Sequence, residues 1–296
     1  MISRRLVMGA LGAALVMPQL VRASGQKAFG AADLAQKIAA LEVRSGGRLG
    51  VAVIDTGTGA RFAHRGGERF PMCSTFKFLL AAAVLAEADR GHLKLTDMVP
   101  ITRADLIAYA PEVEKHVGSG MSLSDLCAAA VIWSDNGAAN LLLRQIGGPA
   151  AVTRFLRSAG DPVTRLDRAE PELNVVPEGS DMDTTTPDAV ADDMVRLVLG
   201  DVLAPASRGA LKDWLIGCRT GDKRLRAGLP KGWTVGDKTG TGPARTGTSN
   251  DVAIAWPPGR APLVIASYLT ASRLDGRGSD AIHAEVARTV TAGVAG

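Results

Sequence analysis

The chain has 296 residues, 46% of them hydrophobic and 22% charged, enough for a large core in one large domain or two lobes. The formal charge of +4 falls to about +1 without Arg4, Arg5 and Arg22, and no basic run interleaved with aromatics remains, which argues against nucleic-acid binding. Cys73, Cys127 and Cys218 make an odd count without a Cys-x-x-Cys, so a metal cluster is not expected, and all three thiols should be free and buried.

In chain order, Ser3-Arg4-Arg5 precedes an apolar run over 6–20 and the small-residue stretch ending in Ala23-Ser24. That is the pattern of an export signal over 1–23, of twin-arginine type, too short for a membrane span. An uncleaved anchor is the alternative. Export predicts a periplasmic or secreted protein with no lasting membrane association. Leu34, Ile38 and Leu41 recur at helical spacing over 31–43. A strand follows over 49–55, and Gly-containing residues 56–59 turn it into a second near 60–64. The centre, 74–215, is mostly helical in pattern, with one helix opened by Ser122 as cap and another over 136–146. Strands return over 233–239, 251–256 and 262–270, and a helix closes the chain over 280–290. Strands at both ends around a helical middle predict an α/β lobe from 24–69 and 217–296, an inserted helical lobe over 70–216, and a cleft between them.

Four short motifs carry chemistry. Ser74 and Lys77 of Ser-Thr-Phe-Lys are three apart, which on a helix puts a weak nucleophile beside an amine able to take its proton. A Ser74 near a helix N-terminus would also feel free N–H groups that favour negative charge. Ser134-Asp135-Asn136 supplies a hydroxyl and an amide, or simply a helix cap. Lys238-Thr239-Gly240 ends an apolar strand with a cation, a hydroxyl and a residue that allows close backbone approach. Thr241 follows, and its N–H could join that of Ser74 in an oxyanion hole. Residues 168–174 read Arg-Ala-Glu-Pro-Glu-Leu-Asn, and Glu170 and Asn174 form an acid–amide pair one turn apart.

In this order and spacing the motifs resemble those of class A serine β-lactamases, over nearly the whole chain. The resemblance implies the α/β fold of β-lactamases and DD-peptidases: a five-stranded antiparallel sheet flanked by the terminal helices, plus the helical lobe. It implies an omega loop over 168–183 closed by Arg168 and Asp183, a cis peptide before Pro171, and Tyr109 as an aromatic wall. Ser74, Lys77, Ser134 and Glu170 are the implied catalytic residues. Tyr109, Asn136, Asn174, Arg224, Lys238, Thr239, Gly240 and Thr241 are the implied substrate-binding residues. No cofactor or metal is implied. The substrates would be β-lactam antibiotics, penicillins and cephalosporins, and the enzyme a monomer.

The chain departs from the family pattern at one anion-binding position, where many relatives carry arginine and Ser249 stands here. Arg224, fourteen residues before Lys238, matches an alternative arginine of a subgroup that includes carbapenem hydrolysers, with Arg245 as a second candidate. The family's disulfide positions pair Cys73 with Gly242 and Cys127 with Ala81, so neither bridge is expected. A penicillin-binding DD-peptidase would share Ser-x-x-Lys and Lys-Thr-Gly but lack the Glu170–Asn174 pair. A covalent β-lactam sensor would need slow deacylation and a membrane connection.

Overall fold

The computed structural model describes residues 31–294, so the export signal expected over 1–23 lies outside the described residues. Five strands form one antiparallel sheet: β1 (Arg48–Asp55), β2 (Arg61–His64), β3 (Thr234–Thr241), β4 (Ser249–Trp256) and β5 (Leu263–Thr270). The spatial order is β2-β1-β5-β4-β3, so the first and last parts of the chain share one sheet. The predicted α/β class holds.

Both faces are covered, and the period of two decides which residue meets which layer. Val51 and Val53 of β1 and Ile265 and Leu269 of β5 turn to one face. There they pack with α1 (Ala31–Ser45) and α9 (Gly276–Val294) through Leu34, Ile38, Val286 and Val290. Ala52, Ile54, Val264 and Tyr268 turn to the other face and join the core of the helical middle. The hub of that core is α2 (Phe76–Asp89), whose residues from Phe76 to Ala86 are all buried. A helix apolar on every side belongs inside a protein. Around it stand α3 (Leu123–Ile132), α4 (Asn136–Gln145), α5 (Pro149–Ser158), α6 (Pro187–Val198) and α7 (Pro205–Ile216), while the short α8 (Leu225–Gly228) packs on the other face of the sheet with α9. Among the described residues no helix is long and apolar enough to cross a membrane.

Local signals were read correctly where side chains cap. Ser122 accepts from Asp125 N at 3.1 Å and opens α3. The last helix begins at Gly276, four residues before the expected start at 280. Asp275 Oδ1 accepts from Gly278 N at 2.7 Å, and this turn starts the helix across a stretch without apolar periodicity. β3 and β4 extend to Thr241 and Ser249 because those two residues pair across the ladder. All three cysteines are free and buried. Burial pushes the Cys73 thiol up to about 12 and the Cys218 thiol up to about 11, which makes both inert.

Candidate active site

A cleft of about 370 Å³ opens where the end of β3 meets the N-terminus of α2. Of the twelve residues named from sequence, Ser74, Tyr109, Ser134, Asn136, Asn174, Arg224, Thr239, Gly240 and Thr241 line it. Lys77, Glu170 and Lys238 lie behind its wall, each bonded to a lining residue.

Ser74 sits in a 3₁₀ turn, Cys73–Thr75, that runs into α2. The turn is tied to the sheet. Thr75 Oγ1 lies 2.8 Å from the Tyr268 hydroxyl, and Asn250 Nδ2 donates to Met72 O at 3.1 Å. Gly240 has a reason the sequence did not reveal. A Cβ there would lie 2.6 Å from Met72 O, so it is the Ser74 turn, rather than a ligand alone, that demands glycine.

Lys77 Nζ donates to Ser74 Oγ at 2.9 Å, to Ser134 O at 2.8 Å and to Asn136 Oδ1 at 2.5 Å. It also lies 3.0 Å from Glu170 Oε1, both side chains fully buried. Burial pushes the Lys77 pKa down, while the Glu170 carboxylate pulls against it. The Ser74 hydroxyl reaches Glu170 Oε1 directly at 3.3 Å. On the far side of the cleft Lys238 Nζ donates to Ser134 Oγ at 3.0 Å. Burial, with the nearby Lys77 charge acting in the same sense, brings Lys238 down to about 8. One chain of contacts therefore runs Glu170–Lys77–Ser74 and, through Ser134, to Lys238.

The cap reading of Ser134-Asp135-Asn136 is realised by Asp135, and Ser134 and Asn136 line the cleft on either side of it. Asp135 is the cap of α4, its Oδ1 accepting from Ala138 N at 2.8 Å, and its Oδ2 holds Glu112 N and Val113 N. That frees Ser134 and Asn136 for the cleft. The Asn136 amide is already occupied, however: Oδ1 by Lys77, Nδ2 by Ala108 O at 2.9 Å. Cys73, Tyr109 and Ser134, all at the site, have positive φ values of 45°, 64° and 59°. For residues with side chains this conformation is costly and persists only where packing enforces it.

Glu170 is followed by a cis peptide to Pro171. Its Oε2 accepts from Asn174 Nδ2 at 2.5 Å. Asn174 Oδ1 is buried with no hydrogen-bond partner among the described residues. Asn140, which sequence reading missed, clamps the Glu170 backbone from both sides, donating to its O at 2.8 Å and accepting from its N at 3.0 Å. The available signal was its place four residues after Asn136, on the same face of α4. Asp183, fully buried, accepts from Arg168 Nε at 2.6 Å and from the N–H groups of Asp167 and Arg168.

Arg224 is only 9% exposed. Nε donates to Asp280 Oδ1 at 2.8 Å, Nη1 to Gly240 O and Asn250 O, and Nη2 to Thr241 Oγ1 at 2.8 Å. Four of a guanidinium's five N–H donors are thus engaged, and the fifth is on Nη2, beside Thr241 at the cleft. Arg245 is exposed and lies outside the residues lining the cleft. Ser249 is buried, with Oγ 3.0 Å from His283 Nε2. Thr220 also went unnamed; its Oγ1 lies 2.6 Å from Thr239 Oγ1.

A helix-covered antiparallel sheet with a serine–lysine pair at the head of a buried helix defines a serine hydrolase of the β-lactamase class. Residues 33–294 match the beta-lactamase enzyme family. Beta-lactamase L2 of Stenotrophomonas maltophilia is 48% identical, covering 94% of this chain and 93% of its own. A Citrobacter koseri beta-lactamase is 47% identical over 94% and 92%. Among solved structures, a class A beta-lactamase of the last common ancestor of Gram-negative bacteria superposes with a TM-score of 0.86 at 61% identity, over 88% of this chain and 99% of that one. A beta lactamase from Xanthomonas campestris pv. campestris gives 0.86 at 50% identity, over 88% and 97%. The chain belongs to the class A serine beta-lactamase family.

Proposed function

We propose that the protein opens the ring of β-lactam antibiotics, giving resistance, and that the twelve named residues divide the work as follows. The observation that carries this is the position of Ser74 Oγ, within hydrogen-bond reach of both Lys77 Nζ and Glu170 Oε1. Ser74 Oγ attacks the strained carbonyl carbon, and its proton passes to the pair formed by Lys77 and Glu170. Lowering of the Lys77 pKa by burial supports its part as a base. The N–H groups of Ser74 and Thr241 receive the developing oxyanion. Ser134 Oγ gives its proton to the departing ring nitrogen, and Lys238 beside it, at 3.0 Å, is placed to return one. Glu170 then takes a proton from water, whose oxygen attacks the ester carbon, and that proton passes to Ser74 Oγ, directly or through Lys77, as the C–O bond breaks, restoring the Ser74 hydroxyl and the Glu170 carboxylate. The unpartnered Asn174 Oδ1 suits a water hydrogen. Tyr109, which is 59% exposed, offers a wall for the substrate, and Asn136 holds Lys77. The Glu170–Asn174 pair speaks against a peptidase or a sensor. Digestion after brief exposure to a penicillin tests the scheme: the mass increment should fall on the peptide containing Ser74, and an increment elsewhere would overturn it.

Substrates are penicillins and cephalosporins, and the Arg224 likeness extends the class to carbapenems. The substrate carboxylate lies against Lys238, Thr239, Thr241 and Arg224. Arg224→Ala should lower kcat/KM by about 1–3 kcal/mol, the range for a charged hydrogen bond. A kcat/KM equal to that of the parent would turn attention to Arg245.

The division into lobes over 24–69 with 217–296 and over 70–216, with an omega loop over 168–183, belongs to the same reading. Action as a monomer belongs to the same reading. We further propose export through the 1–23 signal to the periplasm or medium, supported by its sequence pattern. N-terminal sequencing of the product should begin near Ser24; Met1 on a membrane-bound product would refute it.

A further inference from the structure

A cavity of about 360 Å³ lies between α5 and the segment that leads to Glu170. It shares no lining residue with the cleft. Thr153, Arg154 and Arg157 of α5 form one wall, and Arg165, Leu166 and Asp167 form another. None of the roles proposed above uses it.

Three guanidiniums meet one carboxylate here, and that carboxylate is already engaged. Arg165 donates from Nε to Asp167 Oδ2 at 2.9 Å and from Nη2 to Oδ1 at 2.5 Å, and Oδ2 also takes the Asp183 N–H at 3.0 Å. Thr153 Oγ1 accepts from Leu166 N at 2.9 Å and donates to Leu166 O at 3.1 Å. Arg157 is held through Nη1, which donates to Asp161 O at 2.6 Å and to Thr164 O at 2.8 Å. Among the described residues, Nε and Nη2 of Arg157 and Nη1 of Arg165 make no hydrogen bond. Arg154, exposed at the rim, makes neither a hydrogen bond nor an ion pair among them. The side chains of the wall therefore offer spare N–H donors, while both acceptors among them are engaged.

Charge and shape select the ligand. Three positive charges against one negative attract an anion, and a dianion more than a monoanion. Guanidinium forks match the oxygens of a phosphate, and two of the three are fixed in advance by their bonds to the protein. We infer that this cavity binds a dianionic phosphate group, either free in solution or carried by a lipid headgroup. Arg157 and Arg165 also hold residues 161, 164 and 167, so the bound group braces the segment that carries Glu170.

Arg154→Ala removes the one cation of the three that has no protein contact to lose, so the variant should melt and open a penicillin like the parent. Calorimetric titration with inorganic phosphate, against chloride at matched ionic strength, should show one site in the parent. Affinity should be about 10-fold lower in Arg154→Ala, the loss expected for a charged hydrogen bond. Phosphate should also raise the melting temperature of the parent more than that of the variant. Sedimentation with phosphatidylcholine vesicles containing phosphatidate separates the two sources. Binding to these vesicles that Arg154→Ala loses would assign the lipid headgroup, and phosphate binding without vesicle binding would assign the soluble ion. The site is overturned if the parent binds neither probe above the chloride and plain phosphatidylcholine controls, or if Arg154→Ala binds as the parent does. Neither result touches the hydrolase reading, which the penicillin assay follows separately.

Discussion

Glu170→Ala should still acylate at Ser74 and then stall as a long-lived adduct. The two half-reactions depend on Glu170 to different degrees. In acylation the nucleophile is tethered, with Lys77 Nζ 2.9 Å from Ser74 Oγ. Glu170 is also the group that raises the Lys77 pKa against burial. Removing the carboxylate therefore lowers that pKa further and enlarges the neutral, basic fraction of Lys77. Acylation keeps a base. Deacylation loses its only one, because water is untethered and Asn174 can orient it without taking its proton. General-base assistance of this kind is worth about 10²–10⁴-fold. Intact-protein mass spectrometry should show the adduct persisting in Glu170→Ala and absent in Ser74→Ala. A Glu170→Ala enzyme that turned over like the parent would sink the deacylation scheme.

Asp183→Ala should destabilise the fold by about 3–5 kcal/mol, the cost of stripping one partner from a buried ion pair. Asp183 is fully buried, and its carboxylate serves Arg168 Nε and two backbone N–H groups at once. All three donors would be left without their acceptor. Asp183 also has a positive φ of 55°, which alanine tolerates less well than aspartate or asparagine. A melting temperature lower by roughly 10 °C is expected, since each kcal/mol moves it by a few degrees in a protein of this size. kcat should fall as well, because the segment from Arg168 carries Glu170. The Asn140 clamp on the Glu170 backbone should keep that loss below the loss in Glu170→Ala. An unchanged melting temperature would mean the loop is held by other contacts.

The legible part of the site was the part written in short-range spacing. Ser74 and Lys77 are three apart and share one helical face; Ser122 caps α3 as its hydroxyl predicts. Asn140 was missed although it lies one turn beyond Asn136, because an asparagine on a helix shows nothing of its partner until Glu170 is brought against it. The same holds for Thr220, which means something only beside Thr239. The last helix was cut short because its first turn is built by Asp275 from polar and glycine residues, which leave no apolar period to read.

The amino-acid sequence by itself determined the class: a β-lactamase scaffold with strands at both ends, a helical middle, and four motifs in a fixed order. Those are properties of neighbours along the chain, where helix and strand periodicity dictates which side chains share a face. Only the tertiary structure decided how the motifs meet. It drew Glu170 to within 3.0 Å of Lys77, 93 residues earlier in the chain. It buried Lys238 until its pKa fell to about 8. It set Arg224 beneath Gly240 and Asn250, and made Gly240 obligatory through the approach of Met72 O. Distances between remote segments, and the desolvation that shifts a charge, follow from how sheet and helices pack, and no local spacing encodes them.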